Sequence, residues 1–146
     1  MQINTKKFNE LTNQELYDLL QLRSEVFVVE QDCVYQDLDG KDIKALHVMG
    51  YDEDELVAYT RIFKQGDYFN ESSIGRVVVK KNSRQKKYGE AIMKASIKSI
   101  EERYESTLIK LSAQTYLKKF YNSLGFMETG PEYLEDGIPH VAMIKK

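Results

Sequence analysis

Arg84, Lys86 and Lys87 crowd three cations into four positions, and Gly89 follows two residues later. The whole run Lys80 to Lys87 is polar. From Tyr88 the pattern turns helical: Met93, Ile97, Ile100 and Tyr104 share one stripe, with Ala91, Ile92 and Ala95 beside it. A basic loop feeding a helix start has the chemistry of an anion site. The first amides of a helix have no intrahelical partner, and the helix dipole favours negative charge there. A glycine at that point lets a phosphate approach the backbone closely. The same residues also read as a solvated, lysine-rich turn before a core helix, and local pattern leaves both readings open. Upstream, Val77, Val78 and Val79 form the apolar run expected of a strand buried on both faces.

Other constellations carry less. Asp37-Leu38-Asp39-Gly40-Lys41-Asp42 has the start of a calcium loop, but Val48 stands where the glutamate twelve positions along is required. A hydrogen-bonded turn is the expectation there. His47, His140 and Cys33 show no metal-ligand spacing, so no metal is expected. Cys33 as an acyl-carrying nucleophile would need a histidine, and none lies near it in sequence, so a packed thiol is expected. The patch KKNSRQKK is short, has only Tyr88 as an adjacent aromatic, and sits in a chain of net charge −2. That excludes general affinity for nucleic acid or a membrane surface.

The elements that must position these residues are legible in part. Ile3 to Phe8 reads as an edge strand. Thr12 with Glu15 forms a capping box, and Leu11 with Leu16 a hydrophobic staple. The helix they start carries Leu16, Leu19, Leu20, Arg23 and Phe27 at helical spacing. Val26 to Val29 is apolar, and the acidic, turn-rich EQDCVYQDLDGKD follows. Ala45 to Tyr51 and Leu56 to Phe63 read as strands joined by a tight acidic connection. A loop from Gly66 to Ser72 leads to the valine strand and the amphipathic helix. Leu108 to Ala113 is a further strand. Thr115 is the expected N-cap of a helix carrying Tyr116, Leu117, Phe120, Tyr121 and Leu124. Gly125 should end it in a left-handed turn, with Phe126 folding back on Phe120 or Tyr121. Strands near Phe126 to Thr129 and His140 to Lys145 are expected to flank a loop, PEYLEDGIPH.

This order predicts an α/β fold with a mixed central sheet of about six or seven strands flanked by helices. At 146 residues, with no linker-like tract, residues 1–146 read as a single domain. One cysteine excludes an internal disulfide framework. No apolar run approaches the ~18 residues of a membrane span, and MQINTKKFNE shows no signal peptide, so a cytoplasmic location is expected.

The strand, basic loop and helix resemble motif A of the GNAT acyl-CoA-dependent N-acetyltransferases, whose loop reads R/Q-x-x-G-x-G/A. Here it is Arg84-Gln85-Lys86-Lys87-Tyr88-Gly89, with Lys87 in place of the first glycine. The resemblance extends nearly end to end to the ElaA-like branch of that family. It rests on LYDLLQLRSEVFVVEQDCVYQDLDGKD, ELVAYTRI, IGRVVV, AQTYLKKFYNSLGF and EDGIPHVAM in that order.

The resemblance implies transfer of an acetyl (or other short acyl) group from acetyl-CoA to a primary amine of a small molecule or peptide by direct attack, without a metal. It implies that Val77, Val78 and Val79 hold the pantetheine arm. The pyrophosphate would lie on the amides of Gln85, Lys86, Lys87, Tyr88, Gly89 and Glu90, with Arg84 and Lys86 as charge partners and Tyr116 among the coenzyme contacts. Tyr121, in KFYNSLGF, matches the family tyrosine aimed at the coenzyme sulfur. A phenol of pKa ~10 suits protonation of a thiolate whose acid has pKa ~8.5. An amine of pKa ~10.4 needs a base or a water relay, and Glu30, Asp32, Glu135 and His140 are the candidates. The segment Glu25 to Asp42 helps wall the acceptor site in this picture. The acidic phrases Glu30 to Asp42 and Glu132 to Asp136 then favour a cationic acceptor. A different class of function, a non-catalytic acyl-CoA sensor that contacts a partner protein, would use the same cradle. A homodimer is compatible with either.

Overall fold

The computed structural model describes residues 1–146. Seven strands form one mixed sheet in the spatial order β1-β2-β3-β4-β5-β7-β6. They are β1 (Gln2–Lys7), β2 (Leu46–Asp52), β3 (Glu55–Phe63), β4 (Ser72–Val79), β5 (Ile109–Gln114), β6 (Met127–Glu135) and β7 (Ile138–Lys145). Every neighbouring pair is antiparallel except β4 and β5. Those two are parallel because a helix, α2 (Tyr88–Tyr104), crosses between them. No helix is long and apolar enough to cross a membrane.

Helices cover both faces. On β2 and β3 the side chains alternate, so Val48, Ala58 and Ile62 pack with Ile92, Met93, Ile97 and Ile100 of α2. Met49, Leu56 and Tyr59 face the other way, against Leu19 and Leu22 of α1 (Asn13–Arg23) and Val26 beyond it. Each such side chain contributes about 1.5–3 kcal/mol on burial, far more than helix propensity supplies. α1 starts as its sequence predicts. Glu15 N–H donates to Thr12 Oγ1 at 3.1 Å, and Thr12 N–H donates to Glu15 Oε1 at 2.9 Å. Leu11 and Leu16 both pack on the second core. The helix then widens into a π-helical segment, Ser24–Glu30.

Three expectations are corrected. β4 is not buried on both faces: Val78 is buried beneath α1, but Val77 and Val79 are half-exposed. β4 pairs with β5 only at Ser72–Ile109 and Ser73–Lys110, and beyond that point the strands part. The register of β3 against β4 slips between Tyr59 and Arg61, and Arg76 opposite has φ +49°. A bulge of this kind bends and twists the strand away from its neighbour. Second, Thr115 caps nothing. Thr115–Leu117 form a 3₁₀ turn before α3 (Lys118–Ser123), and neither Gln114 nor Leu117 supplies a side-chain cap. Third, most of PEYLEDGIPH is strand, not loop. β6 and β7 meet in a two-residue turn, Asp136–Gly137, with φ +52° and +78°. An Asp-Gly pair between strand-like residues is the signal for that hairpin.

The end of α3 follows its sequence. Phe126 N–H donates to Tyr121 O at 3.1 Å and Gly125 N–H to Asn122 O at 3.0 Å, with Gly125 at φ +96°. This is a Schellman turn, and it stacks Phe126 edge-on to Tyr121.

Candidate active site

The parting of β4 and β5 opens a cleft of about 610 Å³. β4 lines it with Val77 and Val79, β5 with Leu111, Ser112 and Gln114. Past Ser73, the β4 edge that would pair with β5 has no strand partner, which leaves backbone groups there for an extended ligand, Val79 O being taken by Arg84.

At one end lies the start of α2. The basic loop is a 3₁₀ turn, Lys81–Lys86, closed by Lys87 in the left-handed conformation (φ +59°, ψ +27°). A glycine adopts that conformation without strain, which explains why the family pattern places one there. Lys87 lines the cleft, so the substitution adds a cation to its mouth. No side chain caps this end of α2, and its first amides depend on water or a ligand. Gly89 and Glu90 also line the cleft, Glu90 holding Lys94 at 2.7 Å. A Cβ on Gly89 would meet Phe120 at 3.5 Å and Val79 at 3.7 Å, ordinary contact distances. Packing alone therefore does not demand the glycine.

Gln85, Lys86 and Tyr88 are not among the cleft-lining residues. Tyr88 O–H donates to Asp52 at 2.7 Å, and Lys86 lies 3.5 Å from the same carboxylate, so both turn toward the β2–β3 hairpin. Arg84 does line the cleft but is already engaged. It grips Glu30 with two N–H groups at 2.5 and 2.7 Å, and its Nε–H donates to Val79 O at 3.1 Å. The guanidinium holds the Glu30 carboxyl below the usual carboxylate range. That pairing makes Glu30 a poor base. Asp32 is exposed, at φ +49°, and is not part of the cleft wall.

Tyr121 is buried on α3 and faces the cleft, edge-on to Phe120 at 5.1 Å. Burial pushes its phenol well above the usual tyrosine range, and Tyr116 adds to the shift. Its hydroxyl has no hydrogen-bond partner in the protein, and Tyr116 beside it on the cleft wall is largely exposed. β6 and β7 bring Glu135 and His140 to the cleft wall. His140 is buried, with Nδ1 2.7 Å from Ile138 O and Nε2 3.5 Å from Glu135 Oε2.

The acidic segment behaves differently from its sequence appearance. Asp37, Asp39 and Asp42 are bound by Arg23, Arg61 and Arg76 in one chain of ion pairs of 2.6–3.5 Å. Tyr35 O–H donates to Asp37 at 2.9 Å, and Arg76 lies over its ring. These carboxylates are neutralised and do not attract a cation to the cleft. The sequence held one signal: Arg23 falls on the apolar stripe of α1, and Arg61 lies inside an apolar strand.

The family model for the GNAT acetyltransferase domain matches residues 8–146 of this sequence. The chain belongs to the GNAT acetyltransferase family. Among GNAT relatives, protein ElaA of Escherichia coli is 43% identical over 140 residues, 94% of this chain and 92% of that one. Its crystal structure superposes with a TM-score of 0.93, covering 99% of each chain. An acyl-CoA N-acyltransferase from Pseudomonas aeruginosa, 38% identical, has a TM-score of 0.93 and covers 100% of both chains. An aminoglycoside 6'-N-acetyltransferase complexed with coenzyme A shares the GNAT fold at 18% identity, with a TM-score of 0.75 over 99% of this chain and 96% of that one. The split between β4 and β5 therefore lies in a fold that elsewhere accommodates coenzyme A.

Proposed function

We propose that this protein transfers an acetyl group from acetyl-CoA to a primary amine by direct attack. The carrying observation is the uncapped N-terminus of α2 opening into the cleft left where β4 and β5 part. Three parts of the chain fit the coenzyme. The β4 edge at Val77 and Val79, which has no β5 partner, suits a pantetheine arm laid alongside as an added strand, with Arg84 giving up Val79 O to it. The amides at Gly89 and Glu90 suit a pyrophosphate, with Lys87 at the cleft mouth as a cation. Arg84 joins them by exchanging Glu30 for phosphate.

Acetyl-CoA supplies a thioester, and the chain must place an amine against it and discharge the sulfur. Tyr121 holds a proton at a hydroxyl that lines the cleft and makes no hydrogen bond within the protein. Delivered to the departing sulfur, that proton makes the thiol a neutral leaving group. Phe120, Leu117 and Ile138 line the cleft and help exclude water from the thioester.

The test is thermal unfolding of the full chain against rising acetyl-CoA, with ADP and acetate as controls. Acetyl-CoA at about a hundred times its Kd should add about 2.7 kcal/mol of stability. Thiol release with a panel of primary amines then distinguishes an enzyme from a sensor. Stabilisation by acetyl-CoA with no thiol release across the panel would favour the sensor.

A further inference from the structure

The β6–β7 hairpin sets two hydrogen-bond acceptors against each other on the cleft wall. Ile138 O can only accept, so His140 Nδ1 carries a proton and donates to it at 2.7 Å. In the neutral ring the lone pair is then on Nε2. That Nε2 faces Glu135 Oε2 at 3.5 Å, too long for a good hydrogen bond. With the ring neutral, the facing pair lacks a donor.

Among the cleft's carboxylates, Glu30 is bound by Arg84 and Glu90 by Lys94, whereas Glu135 and Asp136 have no lysine or arginine partner. The ring is held firmly. Tyr133 stacks on it, with centroids 6.2 Å apart, and the Tyr133 hydroxyl is itself tied to Ser112 Oγ. Ser112 also reaches Glu135 Oε1 at 3.4 Å.

We propose that Glu135 and His140 form the acceptor subsite, in which Glu135 holds the ammonium of a primary amine and His140 Nε2 removes its proton. This rests on the acetyltransferase reading. The imidazolium so formed is paired across the same gap with Glu135, and the half-exposed carboxylate passes the proton to water. The freed amine lone pair forms the C–N bond at the thioester carbon, and the C–S bond breaks. Sulfur takes the Tyr121 proton, and the second proton lost as the amide forms restores the phenol. Around the ring stand Glu135 and Tyr133 of β6 and Asp136 of the turn. β5 adds its register partner Gln114, and Cys33, Tyr35 and Arg76 also line the cleft, Arg76 being tied to Asp37 and Asp39.

The experiment measures thiol release by wild type, His140→Gln and Glu135→Gln, using acetyl-CoA with 1-aminobutane, 1,4-diaminobutane and Nα-blocked lysine amide. At about pH 7, His140→Gln should lose about 10²-fold in kcat/KM while acetyl-CoA still raises its melting temperature. The defect should shrink about tenfold per pH unit between about pH 7 and 9, because the free amine fraction rises toward the amine pKa of ~10.4. Glu135→Gln should act chiefly by raising the amine KM. A loss in His140→Gln that stays constant with pH overturns the subsite and leaves acetyl transfer standing. Absence of thiol release from wild type with every amine overturns the acetyltransferase reading, and the subsite falls with it.

Discussion

Tyr121 is a buried side chain whose hydroxyl faces the cleft without a protein partner, so removing it breaks no hydrogen bond within the protein. Tyr121→Phe should leave the melting temperature and acetyl-CoA binding within error, and lower kcat by about 10²-fold if the phenol is the acid. Equal turnover of the two proteins would remove Tyr121 from the chemistry. Its raised pKa keeps the proton-bearing form through the alkaline range, so a falling limb below the ordinary ~10 would have another origin. Cys33 offers the contrast. Its thiol is buried and lies 3.4 Å from Asp136 O, a weak contact that ties the segment after the π-helical turn to the β6–β7 turn. Cys33→Ala should keep most activity in the same assay, whereas a folded but inactive variant would restore Cys33 as an acyl-carrying nucleophile. Tyr121 and His140 were legible as residue types at particular positions. The engagement of Glu30 by Arg84 was not, because it joins residues 54 apart through a fold that no local pattern encodes.

At the scale of elements, the start of α2 separates what folding needs from what binding needs. Gly89 lies in the first turn of a helix, has space for a Cβ, and borders the cleft. Gly89→Ala should therefore raise stability by about 0.5–1 kcal/mol, because alanine is the better helix former. The same methyl group stands where a pyrophosphate would approach, so the shift of melting temperature with acetyl-CoA should diminish. Denaturant unfolding with and without the ligand measures both signs at once. Undiminished ligand stabilisation would move the phosphate elsewhere in the cleft. α1, α2 and the end of α3 were readable because their determinants are local: the Thr12–Glu15 box, the Ile92-to-Ile100 stripe and the turn at Gly125. The opening between β4 and β5 was not. Three consecutive valines look the same in a sheet interior and along a cleft, and the bulge that decides between them depends on pairing with β3.

For the whole molecule, the decisive hidden feature is the chain of Arg23, Arg61 and Arg76 with Asp37, Asp39 and Asp42. It joins α1, β3 and β4 to the segment after the π-helical turn. Composition showed an acidic stretch, but only the fold shows that its charge is consumed internally. Asp42 Oδ1 bridges the two most buried arginines, accepting from Arg23 at 2.7 Å and Arg61 at 3.0 Å, with the Arg23 side chain fully buried. Asp42→Asn would leave the three arginines with only Asp37 and Asp39 as counter-charges and should lower the unfolding free energy by about 3–5 kcal/mol near neutrality. The two arginines hold the Asp42 carboxyl below its ordinary range, and Arg61 does the same for Asp39. A depressed folded-state pKa stabilises above the unfolded value of ~3.9, and that stability is lost as pH falls through the folded value. Burial likewise holds His47 below its ordinary range, so its contribution starts to fade earlier, as pH drops past ~6.5. The wild type should thus weaken in two stages on acidification. Asp42→Asn should keep the histidine stage and lose much of the carboxylate stage, so the gap between the two proteins narrows below about pH 4. Urea unfolding at a series of pH values reads this directly. Curves that stay parallel to the lowest pH would mean that the network stabilises through packing rather than through its charges.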